Sequence, residues 1–337
     1  MTEMLDDPAL WLPFAFAALM GVSILVYVVL DGFDLGVGIL FPFADDAEQD
    51  RMVASIGPFW DANETWLVLA IGLLLVAFPA AHGEILSTLY LPVAIMLIGL
   101  ILRGVAFEFR AKAPAAQKPA WNRAFFAGSL ATALSQGTML GLYIMGLEVT
   151  PFTLAFAVLT GFCLTAGYAF IGACWLIGKT EGTLQGRSVR WALAGLAGVI
   201  AGLIAVSLAS PFVSPRIFAR WFEFPTMLYV APLPIASGLL LWVIWRGLNR
   251  LPDSRDRGAW TPFWAASALF GLAFTGLAYS FYPYVIPERM TIYEAASAPE
   301  SLFIIFLGTC VVLPIIIAYS IGAYLVFRGK ATALSYE

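Results

Sequence analysis

Long apolar stretches separated by short polar connections dominate this chain. Each of nine stretches approaches or exceeds the roughly 20 residues that a helix needs to cross the hydrocarbon layer of a membrane. The pattern therefore predicts nine transmembrane helices, over residues 11–41, 60–78, 85–109, 125–147, 152–177, 191–210, 225–245, 260–285 and 302–327. No long linker or low-complexity stretch divides them, so we predict an all-α integral membrane protein with a single transmembrane domain over residues 1–337.

Composition supports this prediction. Hydrophobic residues make up 61% of the chain and charged residues only 12%, whereas charged residues make up roughly 25% of an ordinary soluble domain. The mean hydropathy is +0.87. The net charge of -4 is small and the sequence has no basic face, so we expect no nucleic-acid partner.

The basic residues predict an orientation. Apart from Arg103 inside the third span, 14 of the Lys and Arg residues fall in the connections after spans 1, 3, 5 and 7 and in the C-terminal tail. Only 3 fall in the other connections. The positive-inside rule then places the N-terminus outside and the C-terminus in the cytoplasm. The first seven residues carry three acids and no Lys or Arg, which is untypical of a cleaved signal peptide, so we expect the first apolar stretch to be retained.

Charged residues inside apolar stretches are the most informative feature. An acid or Arg near mid-membrane costs about 2.5–3.5 kcal/mol to insert, so it usually faces protein, a cavity or a partner. Asp31 and Asp34 lie three residues apart near the end of span 1 and share one helix face. Gly32 and Gly36 would let another helix approach closely there. The two acids either hydrogen-bond to that neighbouring helix or exchange protons.

Two further groups of charges lie on spans 2 and 3. Asp61 and Glu64 form a second acidic pair, for which a charged helix start is the simpler interpretation. Arg103 can either snorkel to the interface or neutralise one of the acids. The predicted topology puts all these groups on the cytoplasmic side. Four acids and an arginine on three successive helices could therefore line a polar entrance for protons.

Residues with redox or metal chemistry are scarce. His82 is the single histidine and falls in a predicted outside connection, whereas haem iron needs axial His, Cys, Met or Tyr. Cys163, Cys174 and Cys310 lie in apolar stretches without a CxxC pair, which indicates small buried hydrophobes. We therefore predict no active site, metal or cofactor in this chain.

Several motifs carry a resemblance to a known family. Asp31-Gly-Phe-Asp-Leu-Gly-Val-Gly, followed by Arg51-Met-Val-Ala-Ser-Ile-Gly-Pro-Phe-Trp-Asp-Ala-Asn-Glu-Thr-Trp-Leu, closely resembles the N-terminal signature of subunit II of cytochrome bd-type quinol oxidases. Arg103-Gly-Val-Ala-Phe-Glu-Phe-Arg, Tyr282-Pro-Tyr-Val-Ile-Pro and Val312-Leu-Pro-Ile-Ile-Ile-Ala-Tyr are similar to the same family. The resemblance covers residues 10 to 330, and the short chain resembles the cyanide-insensitive branch.

The resemblance implies a role that composition and spacing do not give. Such complexes oxidise quinol and reduce oxygen to water in the bacterial inner membrane. It implies a partner, subunit I, with two b-type haems, one d-type haem and the quinol-binding loop. It further implies that subunit II binds no haem, stabilises the complex and forms two four-helix bundles plus a peripheral helix. Membrane lipid, quinone and small single-span accessory subunits are further expected partners.

The resemblance also implies a cytoplasmic proton path to the oxygen-reducing haem. On the matching positions, this path would use Asp34, Asp61 and Arg103, with Asp31 and Glu64 beside them. The family often has Gly or Gln where this chain has Ala62 and Glu64, so Glu64 departs from the pattern.

Two other functions stay open on the residues alone. A proton-coupled secondary transporter would also use intramembrane acids, although it usually has broken helices at matching places in two halves. Here the acids cluster in the first third of the chain. A purely structural assembly partner is the other alternative.

Overall fold

The chain folds into long helices in a computed structural model that describes residues 7–213, 215–253 and 255–331. In chain order the helices are α1 (Pro8–Leu40), α2 (Asp46–Ile56), α3 (Trp60–Ala77), α4 (Pro79–Lys112), α5 (Lys118–Ile144), α6 (Pro151–Lys179), α7 (Gly182–Val213), α8 (Pro215–Phe222), α9 (Thr226–Val230), α10 (Pro232–Leu248), α11 (Thr261–Phe281), α12 (Ile292–Ala295) and α13 (Pro299–Val326). A 3-10 turn, Phe41–Phe43, follows α1. The strands β1 (Tyr284–Ile286) and β2 (Met290–Thr291) form a small antiparallel hairpin.

The prediction of an all-α integral membrane protein is confirmed. Within the described residues, eight segments are long and apolar enough to cross a membrane, and they correspond to eight of the nine predicted spans. The remaining predicted span, 125–147, corresponds to α5, a helix of 27 residues. Its length of about 40 Å is sufficient to cross a membrane. Its hydropathy is lowered by four polar side chains that face the protein interior, those of Ser129, Thr132, Ser135 and Gln136. A count of nine spans and an arrangement in two four-helix bundles remain predictions.

Three local features differ from the predicted helix pattern. The seventh predicted span is divided near Ala231 into α9 and α10. The eighth ends at Phe281, and the chain then forms β1 instead of continuing as helix to residue 285. The connection after α1 contains the amphipathic helix α2, which begins with a capping box between Asp45 and Glu48.

Helix α1 lies at the centre of the charged cluster because it packs against α3, α5 and α6. Its contact with α6 is a backbone contact. A Cβ added at Gly36 would lie 1.8 Å from the backbone oxygen of Tyr168, and one added at Gly172 would lie 2.6 Å from the carbonyl carbon of Gly36. Only glycine permits so close an approach of the two backbones, and the spacing of Gly32 and Gly36 predicted such a contact.

Two apolar clusters flank the middle of α1. One includes Leu12 and Phe16 near its start, and the other includes Phe33 and Phe41 near its end. The second cluster continues into aromatic rings of other helices, where Phe33 stacks on Trp175 with ring centroids 4.1 Å apart. These rings make the surroundings of the α1 acids apolar, so the acids need hydrogen-bond partners.

Candidate buried charge cluster

Asp31 and Asp34 of α1 have fully buried side chains. Asp34 lies six residues before the end of α1, which places it about 9 Å along the helix from that end. The two carboxyl groups have different partners although they are only three residues apart.

Arg103 of α4 provides the positive charge for Asp31. Its Nη2 donates to Asp31 Oδ1 at 2.7 Å and also contacts Glu64 Oε1. The Arg103 side chain is only 2% exposed. It therefore neutralises buried acids and does not snorkel to the interface. Gly128 of α5 allows this position, because a Cβ there would lie 2.7 Å from the Arg103 backbone nitrogen.

Asp34 is held by an amide and a tyrosine. Asn63 of α3 donates from Nδ2 to Asp34 Oδ2 at 2.8 Å. The hydroxyl of Tyr324 on α13 in turn donates to Asn63 Oδ1 at 2.9 Å. The last helix of the chain thus reaches the cluster through one hydroxyl group.

A second tyrosine and amide network lies on the other side of Asp31. The hydroxyl of Tyr168 donates to Gln136 Oε1 at 2.7 Å, and Gln136 Nε2 donates to the Tyr27 oxygen at 2.5 Å. Tyr27 interacts with Asp31. The first network thus holds the Asp34 carboxyl group through α3, and the second connects α5 and α6 to Tyr27, one helical turn before Asp31 on α1.

Several polar atoms in the cluster have no partner among the residues described. They are one carboxyl oxygen of each α1 acid and two guanidinium nitrogens, namely Asp31 Oδ2, Asp34 Oδ1, Arg103 Nε and Arg103 Nη1. Buried polar atoms are normally paired with protein or ordered water. These four atoms therefore have capacity for further hydrogen bonds.

The structure brings together four of the five site residues predicted from sequence. Asp31, Asp34, Glu64 and Arg103 form one cluster, in which the Glu64 side chain is 26% exposed and marks its edge. Asp61 is exposed in the first turn of α3, and among the described residues no hydrogen bond or ion pair joins it to Arg103 or the α1 acids. Its predicted role in the path remains untested.

Sequence reasoning missed Asn63, Tyr324, Gln136 and Tyr27. Gln136 carried a usable signal, because it is the single Gln in the apolar stretch 125–147 and an amide in a span usually has a partner. Asn63 stood inside the second motif without a role. Tyr324 lies near the end of the ninth predicted span, where interfacial aromatic residues are common, and no sequence signal links it to Asn63.

Clusters of side chains that could bind a metal ion were sought in the described part of the chain. No group of three or more His, Cys, Asp or Glu side chains that could hold a metal ion occurs there. His82 lies in the first turn of α4, far along that helix from Arg103.

Comparisons with known proteins agree on one family. The family model described as cytochrome bd terminal oxidase subunit II matches residues 12–327. The chain is 28% identical to cytochrome bd ubiquinol oxidase subunit 2 of Bacillus subtilis (strain 168), over 93% of this chain and 95% of that protein. It is 27% identical to cytochrome bd-I ubiquinol oxidase subunit 2 of Escherichia coli (strain K12), over 97% of each chain.

A solved structure has the same fold. A chain of the bd oxidase from Geobacillus thermodenitrificans superposes with a TM-score of 0.71, over 95% of this chain and 99% of that chain. The two sequences are 17% identical, so this likeness concerns the fold.

Proposed function

The chain belongs to the cytochrome bd terminal oxidase subunit II family, and from this membership we propose that it is the haem-free subunit of a cytochrome bd-type quinol:oxygen oxidoreductase. Its proposed partner is a haem-bearing subunit I with two b-type haems and one d-type haem. In this proposal the chain stabilises subunit I and contributes a proton path from the cytoplasm to the oxygen-reducing haem. Quinol is the substrate of the complex, and the location is the bacterial inner membrane.

The buried charge cluster is the observation that carries the proton path. Arg103 pairs with two carboxyl groups, those of Asp31 and Glu64, and the third, that of Asp34, accepts from Asn63. One positive charge does not balance three carboxylates, two of them fully buried, so the cluster favours holding at least one proton. Carboxyl groups that hydrogen-bond to water can pass such a proton on, whereas fully paired side chains would exclude water.

The arrangement supports a direction of transfer. Asp61 is exposed at the start of α3, Glu64 lies one turn further in at the cluster edge, and Asp31 and Asp34 are buried. We place entry at Asp61 and Glu64 and transfer to the α1 acids. Arg103 lowers the electrostatic cost of a carboxylate in this apolar region.

The scarcity of histidine supports the haem-free role. Each haem needs at least one axial ligand, and His82 is the single histidine of the chain. Three haems are therefore assigned to the partner. Apolar side chains exposed along the helices, such as Ile98, Ile101 and Phe109 on α4, provide surface for subunit I, lipid and small accessory subunits.

Co-purification tests this proposal against the proton-coupled transporter. We expect a tagged chain, extracted from its native membrane, to bring down a larger haem-bearing chain and quinol oxidase activity. An equally abundant polytopic protein with the same tag serves as the control. If the tagged chain purifies without haem, and its deletion leaves quinol oxidase activity unchanged, the oxidase role is excluded and the transporter is favoured.

A further inference from the structure

A basic pocket lies where α10 ends and α11 begins, far along the sequence from the charge cluster. Its volume is about 230 Å³, and its walls include Trp242, Arg246, Arg250, Leu251, Arg257 and Thr261. We propose that this pocket binds the phosphate headgroup of an anionic glycerophospholipid whose acyl chains lie along α10. This proposal is independent of the oxidase role, because it concerns a different part of the surface.

The three arginines of the pocket are free to bind an anion. None of them has a carboxylate within 4.0 Å in the described ranges 7–213, 215–253 and 255–331. The nearby acids have other partners. Asp256 bonds to Gln185 and Lys330, and Asp253 accepts from the backbone N–H groups of Arg255 and Arg257. Three uncompensated guanidinium groups match a phosphate diester, which they can bind in bidentate fashion.

One face of α10 changes from apolar to basic toward the pocket. Ile235 is 71% exposed, Leu239 60% and Trp242 51%, and the exposed Arg246 follows at the same helical spacing. The Arg246 guanidinium lies 5.4 Å from the centre of the Trp242 ring. From Ile235 to Arg246 the helix rises about 16 Å, which is close to the depth of one leaflet. Acyl chains therefore fit the apolar part while the headgroup reaches the arginines.

Exposed tryptophans indicate that the pocket lies at the membrane surface. Trp245 is 53% exposed and Trp264 is 66% exposed at the same end of α10 and α11. Tryptophan side chains concentrate at headgroup level in membrane proteins. Basic pockets between helices on the cytoplasmic side are the kind of site that binds anionic lipid. A free phosphate ion would use the arginines but would leave the apolar stripe uncovered.

Fluorescence quenching by brominated lipid tests the proposal on the assembled, delipidated complex. The signal of Trp242 is taken as the difference between wild type and Trp242→Phe. We expect brominated phosphatidylglycerol to quench it at much lower concentration than brominated phosphatidylcholine. In the triple variant Arg246→Gln, Arg250→Gln, Arg257→Gln, the half-saturating concentration of phosphatidylglycerol should rise roughly 100-fold.

A matched variant removes the same charge elsewhere. Arg51, Arg123 and Arg328 are exposed arginines on the side that we propose to be cytoplasmic, and replacing all three with Gln should leave the half-saturating concentration unchanged. Equal losses in both triple variants, or equal quenching by both lipids in the wild type, would overturn the proposal. Complete displacement by inorganic phosphate would identify a free-phosphate site instead. The comparison of the two lipids on the wild-type protein tests the proposal even if the triple variant does not assemble.

Discussion

Asp31 and Asp34 lie one helical turn apart, yet the fold gives them different environments. Asp31 contacts a cation, Arg103, whereas Asp34 contacts a neutral amide, Asn63. A carboxylate beside a cation costs less to keep ionised in an apolar region than one beside an amide. In the proposed path we therefore assign the transfer of the proton to Asp34 and the positioning of Arg103 to Asp31.

Replacing Arg103 tests the electrostatic balance of the cluster. Arg103→Leu leaves the fully buried Asp31 without a cation and removes the partner of Glu64, and breaking a buried ion pair in this way costs about 3–5 kcal/mol. We expect a large fall in the yield of assembled complex, measured by size-exclusion chromatography in detergent. Arg289→Leu is the control, because Arg289 pairs with Glu84 at the surface, where a pair contributes about 0–1 kcal/mol. Equal yields for both variants would mean that Arg103 is not buried among acids in the complex.

Replacing Asp61 tests the entrance of the path. Asp61→Asn keeps the shape of the side chain but removes its titrating group, so we expect lower quinol oxidase turnover in a complex with a normal haem spectrum. Asp46→Asn is matched to it, because Asp46 is also an exposed acid in the first turn of a helix. If both variants change turnover by the same small amount, Asp61 serves only as a charged residue at the helix start and is not part of the proton path.

Sequence reasoning found the charges of the site but not the groups that position them. A charged residue in an apolar stretch is visible because it breaks the pattern, and Asp31, Asp34 and Arg103 were identified in this way. Asn63 and Tyr324 are 261 residues apart in sequence, and their contact depends on how α13 packs against α3. Local spacing contains no information on such a contact.

At the scale of helices, the crossing of α1 and α6 positions the cluster. The added Cβ of Gly36→Ala would meet the Tyr168 backbone, which cannot move as a side chain can. We expect overpacking of about 1–3 kcal/mol or more, seen as a lower midpoint of thermal inactivation. Gly238→Ala, in the open on α10, is the control and should leave the midpoint unchanged or raise it slightly. A Gly36→Ala variant as stable as Gly238→Ala would contradict the close crossing.

The last helix, α13, contributes a hydroxyl group as well as apolar surface. Tyr324→Phe removes the donor to Asn63 but keeps the ring that stacks on Phe59 at 4.4 Å. The loss of one hydrogen bond costs about 1 kcal/mol, so the complex should still assemble. Because Asn63 then loses the hydrogen bond that holds it beside Asp34, we expect reduced turnover and a shifted pH profile of turnover. Tyr319→Phe on the same helix, where Tyr319 is 68% exposed, should change neither.

Across the whole molecule, the hydropathy signal is strong where a helix faces away from the protein and weaker where a helix is surrounded by protein. Eight of the predicted spans are strongly apolar because much of their surface faces away from the protein. On α13, for example, only 6% of the most apolar window is buried. Helix α5 lies between α4 and α6 and faces them with Gly, Ser and Thr. Small residues permit close packing there, so the composition that makes α5 an interior helix also lowers its hydropathy.

The topology of α5 decides the orientation of the whole molecule. If α5 crosses the membrane, the nine spans put the two termini on opposite sides, with the 14 basic residues in the cytoplasm and 3 outside. If it does not, both termini lie on one side and the charge asymmetry disappears. Single cysteines at Thr2 and Arg328, in a background with Cys163, Cys174 and Cys310 replaced by Ala, report the two sides. We expect an impermeant maleimide to label Thr2→Cys in intact spheroplasts and to label Arg328→Cys only after permeabilisation. Labelling of both positions in intact spheroplasts would show an even number of spans. Labelling of Thr2→Cys only after permeabilisation would put the end of α1 outside, and that result would remove the cytoplasmic entry that the proposed proton path requires.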